Sequence, residues 1–322
     1  MRMQGLPLSS SSISSDRVLH ITDRSCFLLM KLLKKIGLMN AAMFTVLILT
    51  WIFVYAGAGL PRAYAWFSLK MVIPILGIAY LLLNVTLWVI NVIKKKSTKK
   101  RRIGFIAAIL LSLHLLLLMN IIQLPYPSRI QNAQPSVTVN WPFAGKTVVG
   151  WGGDSLNTNL PHITWASERW AYDLVMEPFN TGSHNPEDYG IWNQEILSPA
   201  SGIVIAAYDK EHDIEPGSES FLSMEGNHVY LKLDETGTYL LLNHLKQNSL
   251  TVKIGDHVQT GDLLGRVGNS GSTSEPHLHI HHQRQNPVLT PHPVLAEGLP
   301  LYFEGTDTVP MPQKGTVVSP SF

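Results

Sequence analysis

The chain has 322 residues, 45% hydrophobic and only 15% charged, a balance that excludes a disordered chain and leaves room for more than one domain. Its net charge of +2 conceals two unlike halves: residues 1–128 hold 15 Lys/Arg against 2 Asp/Glu, whereas 129–322 hold 10 against 21. The single cysteine, Cys26, excludes a disulfide framework and a cysteine-built zinc site.

A basic tail over 1–36, with Arg2, Arg17, Arg24, Lys31, Lys34, Lys35 and a serine-rich stretch from Ser9 to Ser15, precedes three apolar runs at 37–60, 66–92 and 103–124. Each approaches or exceeds the ~20 residues with which a helix crosses a bilayer, so three transmembrane α-helices are predicted. His114, Asn84 and Asn91 fall inside these runs and read as packing contacts. The cluster from Lys94 to Arg102 separates the second and third runs. Between the first and second there is only Arg62, with Lys70 just inside the second and near enough to its end to snorkel. Positive charge marks the cytoplasmic side. The expectation is a multi-pass chain of the cell membrane with a cytoplasmic N-terminus and everything after Leu124 outside. The cluster from Lys94 to Arg102 then anchors the topology against membrane lipid, with no nucleic-acid role.

Pro125 and Pro127 end the third run and open a linker over 125–145. Over 146–305 the pattern changes to short alternating runs, as at 202–207, 228–233 and 238–242, punctuated by Gly, Asn, Asp and Pro. This predicts a mainly antiparallel all-β domain, followed by a tail over 306–322. The Gly-rich stretch 150–153 lacks the strand–helix setting of a nucleotide loop and reads as a turn. The stretch 177–195 reads as a lid or a long surface loop. His212, among Asp209, Glu211, Asp213 and Glu215, reads as part of a solvated acidic loop. In the segment Ser274-Glu-Pro-His-Leu-His-Ile-His-His282, alternation along a strand puts His277, His279 and His281 on one face and Leu278 and Ile280 on the other. Neighbouring imidazoles on one face suit a metal site, one as ligand and one handling protons. A catalytic zinc takes three protein ligands and keeps one position open.

Asn243-His-Leu245, the run from Val252 to Gly271, and Pro276-His-Leu-His279, with Ser198-Pro-Ala-Ser-Gly-Ile-Val204 before them, resemble the lysostaphin-like (LytM-type) zinc metalloendopeptidases. The resemblance covers about 146–300. It implies a duplicated-hybrid-motif-like β fold with a groove, bound Zn2+, and cleavage of peptides in bacterial peptidoglycan. Carried onto this chain, it makes His279 a zinc ligand, His277 and His244 the catalytic histidines, and Asp173 the carboxylate ligand. Where the family has a further His ligand, four residues before that Asp, this chain has Arg169, whose guanidinium offers no lone pair. The expected replacement is His162, in Asn159-Leu-Pro-His162, ahead of His184 and His281. The expected function is a membrane-anchored zinc metallopeptidase acting on peptidoglycan peptides. The alternative is a catalytically inactive LytM-like module that binds the wall or a partner, and a protein regulator is compatible with either. The run from Gly255 to Gly265 also fits a turn of biotinyl- and lipoyl-like modules, but the hairpin lysine that carries their cofactor has no counterpart here.

Overall fold

The computed structural model describes residues 37–321, so the expected tail over 1–36 lies outside the described residues. Two units are distinguished: 37–49 with Ile73–Leu113, and Thr50–Val72 with the chain from His114 onward. Helix α1 covers Leu38–Ala56 and α2 covers Gly59–Ile93, the latter passing through a π-helical turn at Ser68–Val72. Among the described residues these two helices are long and apolar enough to cross a membrane.

The expectation of three spans is corrected. The run 103–124 forms a shorter apolar stretch, Arg102–Leu118, made of α3 (Arg102–Ser112) and α4 (Leu115–Leu118). It stops because Asn120 takes the left-handed conformation (φ 52°) and the Ile121 N–H donates back to Leu116 O at 2.9 Å. Asparagine is one of the few residues besides glycine that end a helix in this way. The apolar residues beyond it add to hydropathy without extending the helix. The second run, by contrast, begins earlier than expected, at Gly59, because Pro61 is tolerated in a first helical turn. Within the first unit α2 and α3 approach closely at small residues. Gly77 lies against the backbone of Leu111 and Ser112, and Gly104 against the Asn84 side chain, with no room for a Cβ at either.

The β domain follows. Its strands are β1 (Val137–Asn140), β2 (Thr147–Trp151), β3 (Tyr172–Val175), β4 (Glu195–Leu197), β5 (Gly202–Tyr208), β6 (Asn227–Leu233) and β7 (Tyr239–Leu245). They continue with β8 (His257–Val258), β9 (Leu263–Arg266), β10 (Leu278–Gln283), β11 (Gly298–Leu299), β12 (Leu301–Glu304) and β13 (Val317–Val318). A nine-stranded sheet runs in the order β13-β2-β3-β10-β7-β6-β5-β8, with β11 on β10, and every pairing in it is antiparallel. Two small pairs, β1 with β12 in parallel and β4 with β9 antiparallel, complete the domain. The stretches read as linker and tail therefore each contribute a strand. The stretch 177–195 is tied down: Ile191 joins the core, and the Asn180 N–H donates to Glu275 Oε2 at 2.7 Å.

Alternation along β6, β7 and β10 sends Val229, Leu231, Leu240, Leu242, Leu278 and Ile280 into one apolar core. The other face of β10 is covered as well, so all six of its residues are buried. His282 there bridges Thr238 Oγ1 at 2.6 Å through Nε2 and Pro300 O at 3.1 Å through Nδ1. Burial pushes the pKa of His282 down to about 4.

Truncating Leu278 to alanine is expected to cost about 2–5 kcal/mol of stability, read by thermal or denaturant unfolding. The depressed pKa of His282 carries a pH signature. Neutral His282 stabilises the fold fully above its ordinary value of 6.5, and that contribution is lost as pH falls through 6.5 toward 4. The melting temperature of metal-free protein should drop over this window, and drop less in His282→Gln.

Candidate metal centre

Strand register sets the first two groups. β10 pairs with β3 so that His279 lies opposite Asp173, and with β7 so that it lies opposite Asn243. Opposed residues of a ladder share a face, which puts the imidazole beside the carboxylate. His162 comes from outside the sheet, on the short helix α5 (Leu156–Ile163), which is kinked at Asn159 and interrupted by Pro161. Asp173 Oδ1 stands 3.3 Å from His162 Nε2, 3.0 Å from His279 Nδ1 and 3.5 Å from His277 Nε2. One donor atom each from His162, Asp173 and His279 lies within 4.8 Å of the others.

The hydrogen bonds around the rings fix which nitrogens carry lone pairs. Asn159 Nδ2 donates to Gly153 O at 3.0 Å and Ala171 O at 3.1 Å, so its Oδ1 faces His162 Nδ1, 2.7 Å away, as acceptor. The His162 Nδ1–H is therefore held by Asn159, and Nε2 is the nitrogen turned to Asp173, bonded to it through a proton that a metal would displace. His279 Nε2 is 2.9 Å from His281 Nδ1, and His281 Nε2 is 3.2 Å from Gln283 Oε1. Gln283 Nε2 donates to Gln285 O at 2.7 Å, which makes its Oε1 the acceptor. Protons therefore sit on Nε2 of both histidines, and His279 turns Nδ1 to Asp173, the position at which a metal would take its lone pair. The Nδ1 groups of His277 and His244 donate to Glu275 O and Ser270 O, each at 2.8 Å, leaving both Nε2 atoms as acceptors. His244 holds the left-handed conformation (φ 63°), an uncommon state for a residue with a side chain and one that concentrates at functional sites.

Imidazole nitrogens and a carboxylate oxygen thus converge, an arrangement that needs positive charge among them, supplied by a proton or by a metal ion. Titration reflects this. Burial works to raise the Asp173 pKa, yet His162 and His277, with hydrogen bonds from His162 and His279, hold it well below the usual carboxylate range. Burial works to lower that of His162, but Asp173 beside it lifts it above the ordinary value. Burial, then His277 and His279, push His244 well below its usual range. Burial, then His279, do the same to His281. Two imidazole nitrogens, one carboxylate oxygen and an open side fit catalytic Zn2+ better than the oxygen-seeking Mg2+ or Ca2+. Asp173 and His277 keep 14% and 11% of their side-chain surface exposed, so the opening is on their side.

The five residues expected from the sequence, His162, Asp173, His244, His277 and His279, come together here; the His244 and His277 rings lie 4.7 Å apart. Arg169 does not join them: Nη2 pairs with Asp154 Oδ1 at 2.6 Å, and Nε donates to Tyr126 O at 3.2 Å. His184 is 77% exposed and pairs with Glu215, while His281 supports His279 from behind. Asn159 and Gln283 were not anticipated. The three-residue spacing of Asn159 and His162, one helical turn, was the available signal for the first.

Residues 183–291 match Peptidase family M23, the family of the LytM-type resemblance. The match includes His244, His277 and His279 and begins after His162 and Asp173. Similar solved structures include the antimicrobial peptidase lysostaphin from Staphylococcus simulans, at 18% identity, covering 50% of this chain and 50% of that one, with a TM-score of 0.30. A putative peptidase M23 from Pseudomonas aeruginosa is 21% identical, covering 49% and 46%, with a TM-score of 0.28. A zinc containing peptidase from Vibrio cholerae is 20% identical, covering 32% of each chain, with a TM-score of 0.23. The chain spans half or less of the length of these three. The family match and the donor set together support Zn2+ as cofactor.

In chelator competition on the full chain, His162→Ala and His279→Ala are each expected to abolish stoichiometric zinc binding. His281→Ala should weaken it by roughly 10–100-fold, because the imidazole that orients the ligand is gone. Wild-type affinity in His162→Ala would remove that residue from the ligand set.

Proposed function

We propose that this chain is a membrane-anchored zinc metallopeptidase that hydrolyses peptide bonds in cell-wall peptidoglycan. The observation that carries the reading is the convergence of His162 Nε2, Asp173 Oδ1 and His279 Nδ1, with the Nε2 acceptors of His244 and His277 beside them. His162, Asp173 and His279 would hold the metal. Bound zinc supplies Lewis acidity and lowers the pKa of its water to about 7. His277 Nε2, next to Asp173, is placed to accept a proton from the attacking water. His244, kept neutral by burial and its neighbours, would act through Nε2 once that nitrogen has taken up a proton, stabilising charge on the scissile carbonyl oxygen or passing the proton to the departing amine. Each ring is oriented by a backbone carbonyl that takes its Nδ1–H, so Nε2 is the atom that exchanges protons in both.

The non-catalytic alternative rests on Arg169. That residue is engaged with Asp154 and Tyr126 and leaves Asp173 to the histidines, which supports the enzyme. For the anchor, α1 and α2 support two crossings. The basic cluster from Lys94 to Arg102 favours a cytoplasmic position for the turn after α2, and the peptidoglycan substrate calls for an extracytoplasmic β domain.

Zinc-loaded protein in detergent should release new amino groups from purified peptidoglycan, and a chelator should stop it. His277→Ala and His244→Ala should retain zinc and lose about 10²–10⁴-fold in turnover. Wild-type protein that holds zinc and releases no amine from the wall would leave the binding module as the better reading.

A further inference from the structure

Asp173 and His279 are fixed by a strand ladder, but His162 is not. It stands on α5, a short helix bent at Asn159 and lacking the Pro161 N–H, so its position depends on what grips the end of that helix. The grip comes from α2. The start of that helix, Gly59–Phe67, and its π-helical turn Ser68–Val72 belong to the same unit as the β domain. Trp66 and Lys70 are spaced to share a helix face, and both are buried, Lys70 to 1% exposure. Trp66 Nε1 donates to Thr164 O at 2.8 Å, and Lys70 Nζ donates to the same oxygen at 3.1 Å. Nζ also stands 3.6 Å over the Trp165 ring. Thr164 is the C-cap of α5, two residues beyond His162. The preceding carbonyl, Ile163 O, accepts the Tyr126 N–H at 2.7 Å, and the Tyr126 ring packs edge-on to Trp66 at 6.0 Å between centroids. Tyr126 O in turn accepts Arg169 Nε.

A lysine that served only as a marker at the end of a span would reach for water. This one is enclosed, which is costly unless its protons find acceptors, and it sets its charge on the C-terminal carbonyl of the helix that carries His162, where a cation is favoured. We infer that Trp66 and Lys70 are positioning residues of the metal centre, clamping Thr164 so that His162 meets Asp173 and His279. The inference rests on His162 being a ligand. The metal centre is completed from a helix that precedes the β domain, and the third ligand is registered by α2 as the other two are registered by the sheet.

The test uses the full chain in detergent, with zinc affinity from chelator competition, the visible spectrum of cobalt(II)-loaded protein, and melting without metal. Trp66→Phe removes the N–H together with part of the ring, and Lys70→Met removes the ammonium while keeping a chain of similar length. Each should weaken zinc by about tenfold or more and alter the cobalt spectrum, as loss of an orienting partner does. Lys70→Arg, which keeps a cationic donor, should restore most of both. Metal-free Lys70→Arg should melt close to wild type. Wild-type zinc affinity and cobalt spectrum in both Trp66→Phe and Lys70→Met, with zinc lost in His162→Ala, would overturn the inference while leaving the ligand set intact. So would losses that track metal-free melting and are not rescued by arginine. Wild-type affinity in His162→Ala would overturn the ligand reading on which the inference stands.

Discussion

One carboxylate oxygen, Asp173 Oδ1, has imidazole nitrogens of His162, His279 and His277 within 3.5 Å. The protons of those rings are drawn to the far side by Asn159, His281 and Glu275. The near-side nitrogens are therefore the ones that can exchange a proton for a cation. Such a cluster is stable in a partly buried place only around positive charge, and it prepares coordination before any ion arrives. The rest of the β domain can be understood as the frame that holds these donors against their mutual repulsion.

Different parts of the frame do this by different means. The pairing of β10 with β3 and β7 sets His279 and Asp173 through backbone hydrogen bonds, which tolerate little drift. The core on the opposite side of β10, through Leu278 and Ile280, fixes the face on which the histidines emerge; a slip of one residue would exchange the two sets. Behind His279 the chain of His281, Gln283 and the Gln285 carbonyl has one consistent donor direction, so the tautomer of the ligand is determined several groups away. His162 has no such ladder. Its orientation comes from Asn159, and its location from the ends of α5, where Asn159 Nδ2 binds two carbonyls and Thr164 O is clasped from α2.

The departure at Arg169 becomes intelligible in this light. A cation beside Asp173 would neutralise the carboxylate and compete with a metal. Here Arg169 is instead turned to Asp154, which also accepts the Trp170 Nε1–H at 2.9 Å, and its Nε reaches the Tyr126 carbonyl. It thus fastens the segment before α5 to the segment after it, the same region that Trp66 and Lys70 grip. The helix that carries His162 is thus tied on several sides, as rigid placement of a donor requires.

The sequence alone determined the division into a basic apolar half and an acidic β half, because composition and period report burial without reference to neighbours. Within the sequence, strand spacing put His277, His279 and His281 on one face, and the order of the motifs carrying the resemblance pointed to His244 and Asp173. It named His162 by chemistry: an arginine cannot ligate, and the nearest upstream histidine can. What it misjudged was the third span, where hydropathy counts side chains and is blind to the backbone turn at Asn120. It was also silent on the strands at 137–140 and 317–318, whose partners lie far along the chain. Lys70 read as a charge near a membrane edge because its acceptor, the Thr164 carbonyl, is distant in sequence and invisible as a residue type. Convergence of the donors was decided only by tertiary structure: pattern fixes which face a side chain takes, whereas the distance between faces of separate elements depends on register and packing.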